Sequence, residues 1–147
     1  MRKTLTAAVI GLLCIGGAAN AQGSPEVLVK ARQAGMALSG SVVGGIKAAI
    51  DAGQAPSTQR NAARSLARWS HTLPELFPEG TDPASLETGA QPAVWTDRNG
   101  FNAKAAEFAA AADRLAELSQ GEDAAAFSAQ WTVVRSNCQS CHSVYKQ

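Results

Sequence analysis

The chain has 147 residues, 46% hydrophobic and 17% charged, which suits one globular domain and leaves little room for two. Aromatic residues make up only 5%, and Ala is abundant while β-branched residues are sparse, so helices are favoured over a β-sandwich or barrel. A formal net charge of +1 gives no basic footprint for nucleic acid, and three cysteines are too few for a disulfide scaffold.

The first segment reads as an address and not as part of the fold. Arg2 and Lys3 precede an apolar, uncharged run from Leu5 to Ala19, and Ala19-Asn20-Ala21 supplies the small-x-small pattern cut by signal peptidase. The sequence therefore predicts a cleaved secretory signal peptide over 1–21 and a single domain over 22–147, exported to the periplasm. The apolar run is shorter than the ~20 residues that span a bilayer and no stop-transfer segment follows, so the protein is expected not to be membrane-embedded. The competing reading is a buried N-terminal helix. Cys14 stands behind Leu13, where lipoprotein processing wants a small residue, and is read as discarded with the signal. Cleavage leaves 126 residues with 11 basic and 12 acidic groups, a net charge of −1, and two cysteines, Cys138 and Cys141.

Four helical patterns follow. Ser24-Pro25-Glu26 is a helix start, with a capping hydroxyl, Pro at the first helical position and an acid in the first turn. From there Leu28, Ala31, Gly35, Leu38, Val42, Gly45 and Ala49 recur at steps of three and four, and Gly53 is the expected stop. The second pattern opens near Ser57 or Thr58, repeats at Ala62, Leu66, Trp69, Leu73 and Leu76, and is ended or kinked by Pro74 and Pro78. Residues 78–100, rich in Pro, Gly, Thr and Asp, read as a long crossing loop with a short helical turn near Trp95. The third pattern carries Phe101, Ala105, Phe108, Ala112, Leu115 and Leu118. Asp123 is placed to cap the fourth, which carries Phe127, Trp131, Val134, Cys138, Cys141 and Tyr145. With no strand pattern and no internal repeat, the expected fold is all-α, an antiparallel four-helix bundle.

The chemistry sits on the fourth helix. Cys138-Gln139-Ser140-Cys141-His142 is C-x-x-C-H, the attachment motif of c-type haem. Two thiols three residues apart on a helix face one side and can form thioethers with the two haem vinyl groups, while the adjacent histidine lies under the iron as proximal ligand. Export agrees with this. Three rivals fit worse. A structural zinc site wants four ligands. A thioredoxin-like pair wants a βαβ context and a helix N-terminus. A disulfide between helix neighbours three apart is geometrically awkward. The expected cofactor is one haem c, covalent through Cys138 and Cys141.

With the motif so close to the C-terminus, the chain resembles the class II c-type cytochromes, the cytochrome c′ family with its low-spin, Met-ligated members. The resemblance covers nearly all of the mature chain. It rests on Arg32-Gln33, Leu73-Pro74 through Gly80-Thr81, Glu87-Thr88-x-Ala90 before Pro92-x-x-Trp95, Phe101, and Cys138 to Lys146. Class I cytochromes c have the motif near the N-terminus and a Met ligand towards the other end, the reverse of this chain. The resemblance implies a four-helix bundle with haem c on the fourth helix, haem contacts from Arg32, Gln33, Glu87 and Thr88, and a homodimer paired through the first two helices. Where the family often has Arg near the proximal face this chain has Lys146, which keeps the charge and loses the planar fork.

After cleavage Met36 is the only methionine. On a helical wheel Arg32, Met36, Ser39 and Val43 share a sector bordering the apolar stripe, with small residues Gly35, Ser39 and Gly40 leaving room for a flat group. Taken alone, a helical Met is a core gap-filler; the resemblance sets Met36 over the distal haem face, where it either coordinates iron or only touches the ring. Arg32, one turn earlier on the same side, can pair with a haem propionate, or it is an ordinary solvated charge. His71 points away from its helix's apolar face and reads as a surface histidine. Trp69, Trp95 and Trp131 line the haem or are simply core.

No paired carboxylates, catalytic triad or phosphate loop is visible, so the expected function is single-electron transfer between redox partner proteins and not enzymatic catalysis. The alternative is a five-coordinate haem that binds nitric oxide or carbon monoxide. Coordination by Met36 separates the two.

Overall fold

A computed structural model describes residues 23–147; the expected signal peptide, with Cys14, lies outside the described residues. Helix α1 (Pro25–Asp51) starts where the sequence places it: Pro25 and Glu26 occupy the first turn, and the Ser24 side chain accepts from the Val27 N–H at 3.5 Å. It ends in a Schellman motif, with Gln54 N–H donating to Ala49 C=O, Gly53 N–H donating to Ile50 C=O, and Gly53 at φ 65°.

The second helix opens later than its pattern. Pro56–Gln59 form a 3₁₀ turn, α2 runs Arg60–Thr72, and a second 3₁₀ turn, Leu73–Leu76, follows. Pro74 has no N–H for the α-helical ladder and the chain tightens there. The crossing loop is shorter than expected. It gives way to a single turn, α3 (Ala93–Thr96), and then to α4 (Arg98–Leu118), because the Asp97 side chain caps α4 by accepting from Gly100 N–H at 3.2 Å. Helix α5 (Ala124–Tyr145) begins at Asp123, whose carboxylate accepts from Ala126 N–H at 2.9 Å.

The long helices α1, α2, α4 and α5 form the antiparallel four-helix bundle; α4 packs on α2 and α5, and α1 closes against both. Ile46, Leu66, Ala112, Leu115, Phe127 and Val134 meet at its centre, fully buried.

Helix α1 is rotated relative to its expected stripe. Leu38 is 67% exposed, while Val29, Arg32, Val43, Ile46 and Ala49 are buried. The sector of Arg32, Met36, Ser39 and Val43 is itself the inward face. An Ala- and Gly-rich helix offers two adjacent registers with equally good periodicity, and hydrophobicity alone rejects the one that buries an arginine.

Candidate haem-binding site

Two cavities of about 470 and 360 Å³ open beside α1 and α5. Met36, Cys141 and His142 stand on the walls of both, so the two are halves of one slot. The larger half is closed by Leu66 and Leu73, Phe108 of α4 and Trp131 of α5. The smaller is closed by Phe77, Phe101 and Tyr145.

Cys138 and Cys141 sit one turn apart on α5, half-buried and not bonded to each other. Burial pushes both thiols above their ordinary pKa, and Cys138 adds to the rise at Cys141. A thiol held above its ordinary pKa is a weaker thiolate nucleophile than one activated by a helix N-terminus or a neighbouring cation. His142 is exposed at the mouth of the slot. The protein atoms that do cover it, then the charges of Lys146 and Arg135, hold its imidazole below the usual pKa. The neutral ring is the form that binds a metal. Among the described residues, no three His, Cys, Asp or Glu side chains are grouped to hold a metal ion by themselves.

The slot fits a flat cofactor. Gly40 and Gly44 lie in the middle of α1, where each costs about 1 kcal/mol of helix propensity relative to Ala. A Cβ at either would meet no protein atom within 4 Å, yet both line the larger cavity. Their smallness has no explanation in packing between helices, and it keeps one wall of the slot flat. Gly35, expected to share this role, instead lies against Trp69, whose ring atoms come within 2.1 Å of the place a Cβ would occupy. Trp131 bridges α5 to α1, its indole N–H donating to Val43 C=O at 2.9 Å. The other two tryptophans lie off the slot. Trp95 donates to Pro78 C=O at 3.0 Å, and the indole nitrogen of Trp69 is buried with no partner.

Arg32 lines the smaller cavity and is 2% exposed, which removes the solvated-charge alternative. Its donors go to the end of the second 3₁₀ turn and to the crossing loop that follows it. Nη1 bonds Leu76 C=O (3.1 Å) and Thr81 Oγ1 (2.7 Å); Nη2 bonds Thr81 C=O (2.6 Å) and Thr88 Oγ1 (2.8 Å). The guanidinium also stacks 4.5 Å from the Phe77 ring centroid and 5.5 Å from that of Trp95. Burial lowers its pKa. Only Nε–H remains for a propionate, because a guanidinium has five N–H donors and four are engaged.

Gln33, Thr88 and Lys146 line the smaller cavity with Arg32, whereas Glu87 lies outside both, on a neighbouring hollow with Glu26 and Lys30. His71 is remote from the slot and exposed, its ring 2.9 Å from Asp113 Oδ2. Sequence reasoning missed two supports. Arg98 donates to Phe77 C=O and Pro74 C=O, both at 2.9 Å, and lies over the Phe101 ring. Tyr145 donates to Asp97 at 2.8 Å, while Gln91 N–H and Gln147 N–H pair the loop with the C-terminus just beyond His142. Asp97 before a helical run was a readable cap signal; nothing local marks Arg98.

A family model described as Cytochrome C' matches residues 27–146, spanning Arg32, Met36 and the whole C-x-x-C-H motif. The chain belongs to the cytochrome c′ family. It is similar to cytochrome c′ of Rubrivivax gelatinosus, 35% identical over 127 residues, covering 84% of this chain and 96% of that protein. It is also similar to cytochrome c-556 of Agrobacterium fabrum, 32% identical over 149 residues, covering 98% of this chain and 94% of that protein. Among solved structures, a cytochrome c′ described for an unusual ligand-controlled dimer dissociation superposes with a TM-score of 0.79 at 29% identity, covering 86% of this chain and 98% of that one. As a member of the cytochrome c′ family the chain is a haem protein, and no described helix is long and apolar enough to cross a membrane.

Proposed function

We propose that the chain is an exported, periplasmic c-type cytochrome that carries single electrons between redox partner proteins. Cys138 and Cys141 would hold one haem c by thioether bonds, and His142 and Met36 would supply ligands to its iron. One observation carries this reading: Met36 of α1 and His142 of α5 stand on the walls of the same two cavities, so a thioether and an imidazole share one slot. When bound, haem c supplies a one-electron Fe(III)/Fe(II) couple, and Met/His ligation raises its potential.

The chain's own residues supply position and rigidity. The Trp131–Val43 hydrogen bond ties the two ligand-bearing helices together. Arg32 and Arg98 fix the loop that closes the smaller cavity. A site that rearranges little between two charge states suits electron transfer. The reading is of a carrier and not an enzyme, since His142 and both thiols would be taken up by the cofactor. A homodimer belongs to the same reading, supported by the dimer of the similar cytochrome c′ and by exposed Leu38 on the outer face of α1.

The test compares ferric optical spectra and carbon monoxide affinity of wild type and Met36→Ala. The expected wild type is low-spin, without the charge-transfer band of high-spin haem at the red edge, and Met36→Ala is high-spin and binds carbon monoxide more tightly. A wild type already high-spin, with neither property changed by Met36→Ala, overturns the reading and puts a nitric oxide- or carbon monoxide-binding haem in its place.

A further inference from the structure

The rotation of α1 decides whether Met36 faces His142, and hydrophobicity does not decide the rotation. The helix exposes Leu38 and buries Arg32, and small residues make the adjacent register nearly equivalent in periodicity. Two contacts stand out beside Met36. One turn earlier, Arg32 is held by the crossing loop. Immediately before Met36, Gly35 meets the edge of the Trp69 indole, with Cη2, Cζ3 and Cζ2 within 2.1, 2.4 and 2.6 Å of where a Cβ would stand. No side chain larger than hydrogen fits there without moving the ring or the helix. The Trp69 ring gains no hydrogen bond in this position, since its buried N–H is unpartnered. It packs against the core cluster, with its edge on bare α1 backbone at Gly35. Trp69 lines neither cavity, so its influence on the slot runs through α1.

We propose that Trp69, wedged against Gly35, is a positioning residue for the distal haem ligand: it locks the rotation of α1 so that Met36 points into the slot opposite His142. An Ala at 35 then forces α1 to turn away from α2, and the neighbouring Met36 turns with it. The idea deepens the electron-carrier reading and rests on it for the ligand role, though not for the position of Met36.

The experiment uses the holoprotein labelled with ¹³C-methyl methionine, in which Met36 gives the only methionine signal once the signal peptide is removed. In the reduced protein the haem ring shifts that methyl far from its free position, whether or not the sulfur binds iron. Gly35→Ala is expected to move the signal back towards the free value, to convert low-spin ferric haem to high-spin, and to tighten carbon monoxide binding roughly tenfold as the competing thioether withdraws. Trp69→Phe, which keeps an aromatic core residue and leaves a gap at Gly35, is expected to weaken the shift even if Gly35→Ala fails to fold. On a Trp69→Ala background, Gly35→Ala should have no further effect on the methyl, because the clash is gone. Leu115→Ala, a buried change away from the slot, serves as the control for general loosening and should leave the methyl in place. A Gly35→Ala protein with an unmoved Met36 signal shows that Trp69 yields and α1 does not turn, which overturns the proposal. A high-spin wild type with a Met36 signal that still moves in Gly35→Ala refutes ligation while leaving the wedge intact.

Discussion

Replacing Arg32 with Ala removes four hydrogen bonds from α1, one to Leu76 of the second 3₁₀ turn and three to Thr81 and Thr88 of the crossing loop. The four acceptors are not equally orphaned. Thr81 Oγ1 still donates to Pro78 C=O, and Thr88 Oγ1 still accepts from Ala90 N–H, whereas the Leu76 and Thr81 carbonyls lose the side-chain donor that reaches them. Leaving the buried Thr81 carbonyl and the half-buried Leu76 carbonyl without this donor costs about 2–4 kcal/mol, and losing the stacking on Phe77 and Trp95 about 0.5–1 kcal/mol more. Relief of the buried charge offsets part of this, so the net loss is about 3 kcal/mol. With an unfolding entropy of about 2.1 cal/mol/K per residue over residues 23–147, Tm falls by about 11 °C. Arg32→Lys recovers less than half, since one ammonium cannot span acceptors on Leu76, Thr81 and Thr88. Arg135→Ala, an exposed residue with no side-chain partner among the described residues, changes stability by less than about 0.5 kcal/mol. Urea unfolding followed by far-UV circular dichroism measures all three. An Arg32→Ala protein as stable as Arg135→Ala would refute the clamp, and Arg32 would then owe its burial to something other than the loop.

Tyr145 is the only tyrosine, and burial, with the hydrogen bond to Asp97, pushes its pKa up to about 12. Its phenolate absorbance should therefore rise far above the ordinary midpoint near pH 10. The neutral phenol's contribution to stability is complete below about pH 10 and is lost as pH rises through about 12; an ordinary midpoint in the native protein contradicts the buried Tyr145–Asp97 pair. Gly45→Ala lies on the exposed side of α1, off both cavities, with no atom within 4 Å of the added Cβ. It should stabilise the protein by up to about 1 kcal/mol in the same urea assay, and any loss of stability would show that this face is already covered.

Much of the fold was legible because local signals were strong. Ser24-Pro25, Gly53 and Asp123 mark helix ends by capping chemistry, and the stripes of α4 and α5 combine large aromatic and aliphatic side chains that admit only one inward face. The rotation of α1 is not legible in the sequence, because its residues are mostly small and its inward face carries an arginine whose partners lie 44 to 56 residues away. The crossing loop ends earlier than its composition suggests because the Asp97 side chain caps α4. In the site, C-x-x-C-H announces itself by spacing. The roles of Gly40, Gly44, Gly35 and Trp69 do not, because they depend on which helix stands opposite, and that is settled only by packing.

The central claim is that Cys138, Cys141 and His142 of α5 hold one covalent haem c. Intact-mass analysis of the exported protein after extraction with acidified acetone tests it directly. The expected result is a single species, a polypeptide beginning at Gln22 and heavier by one haem, with its colour retained in the protein pellet. A colourless pellet whose mass equals the bare polypeptide, with haem released into the solvent, would contradict it.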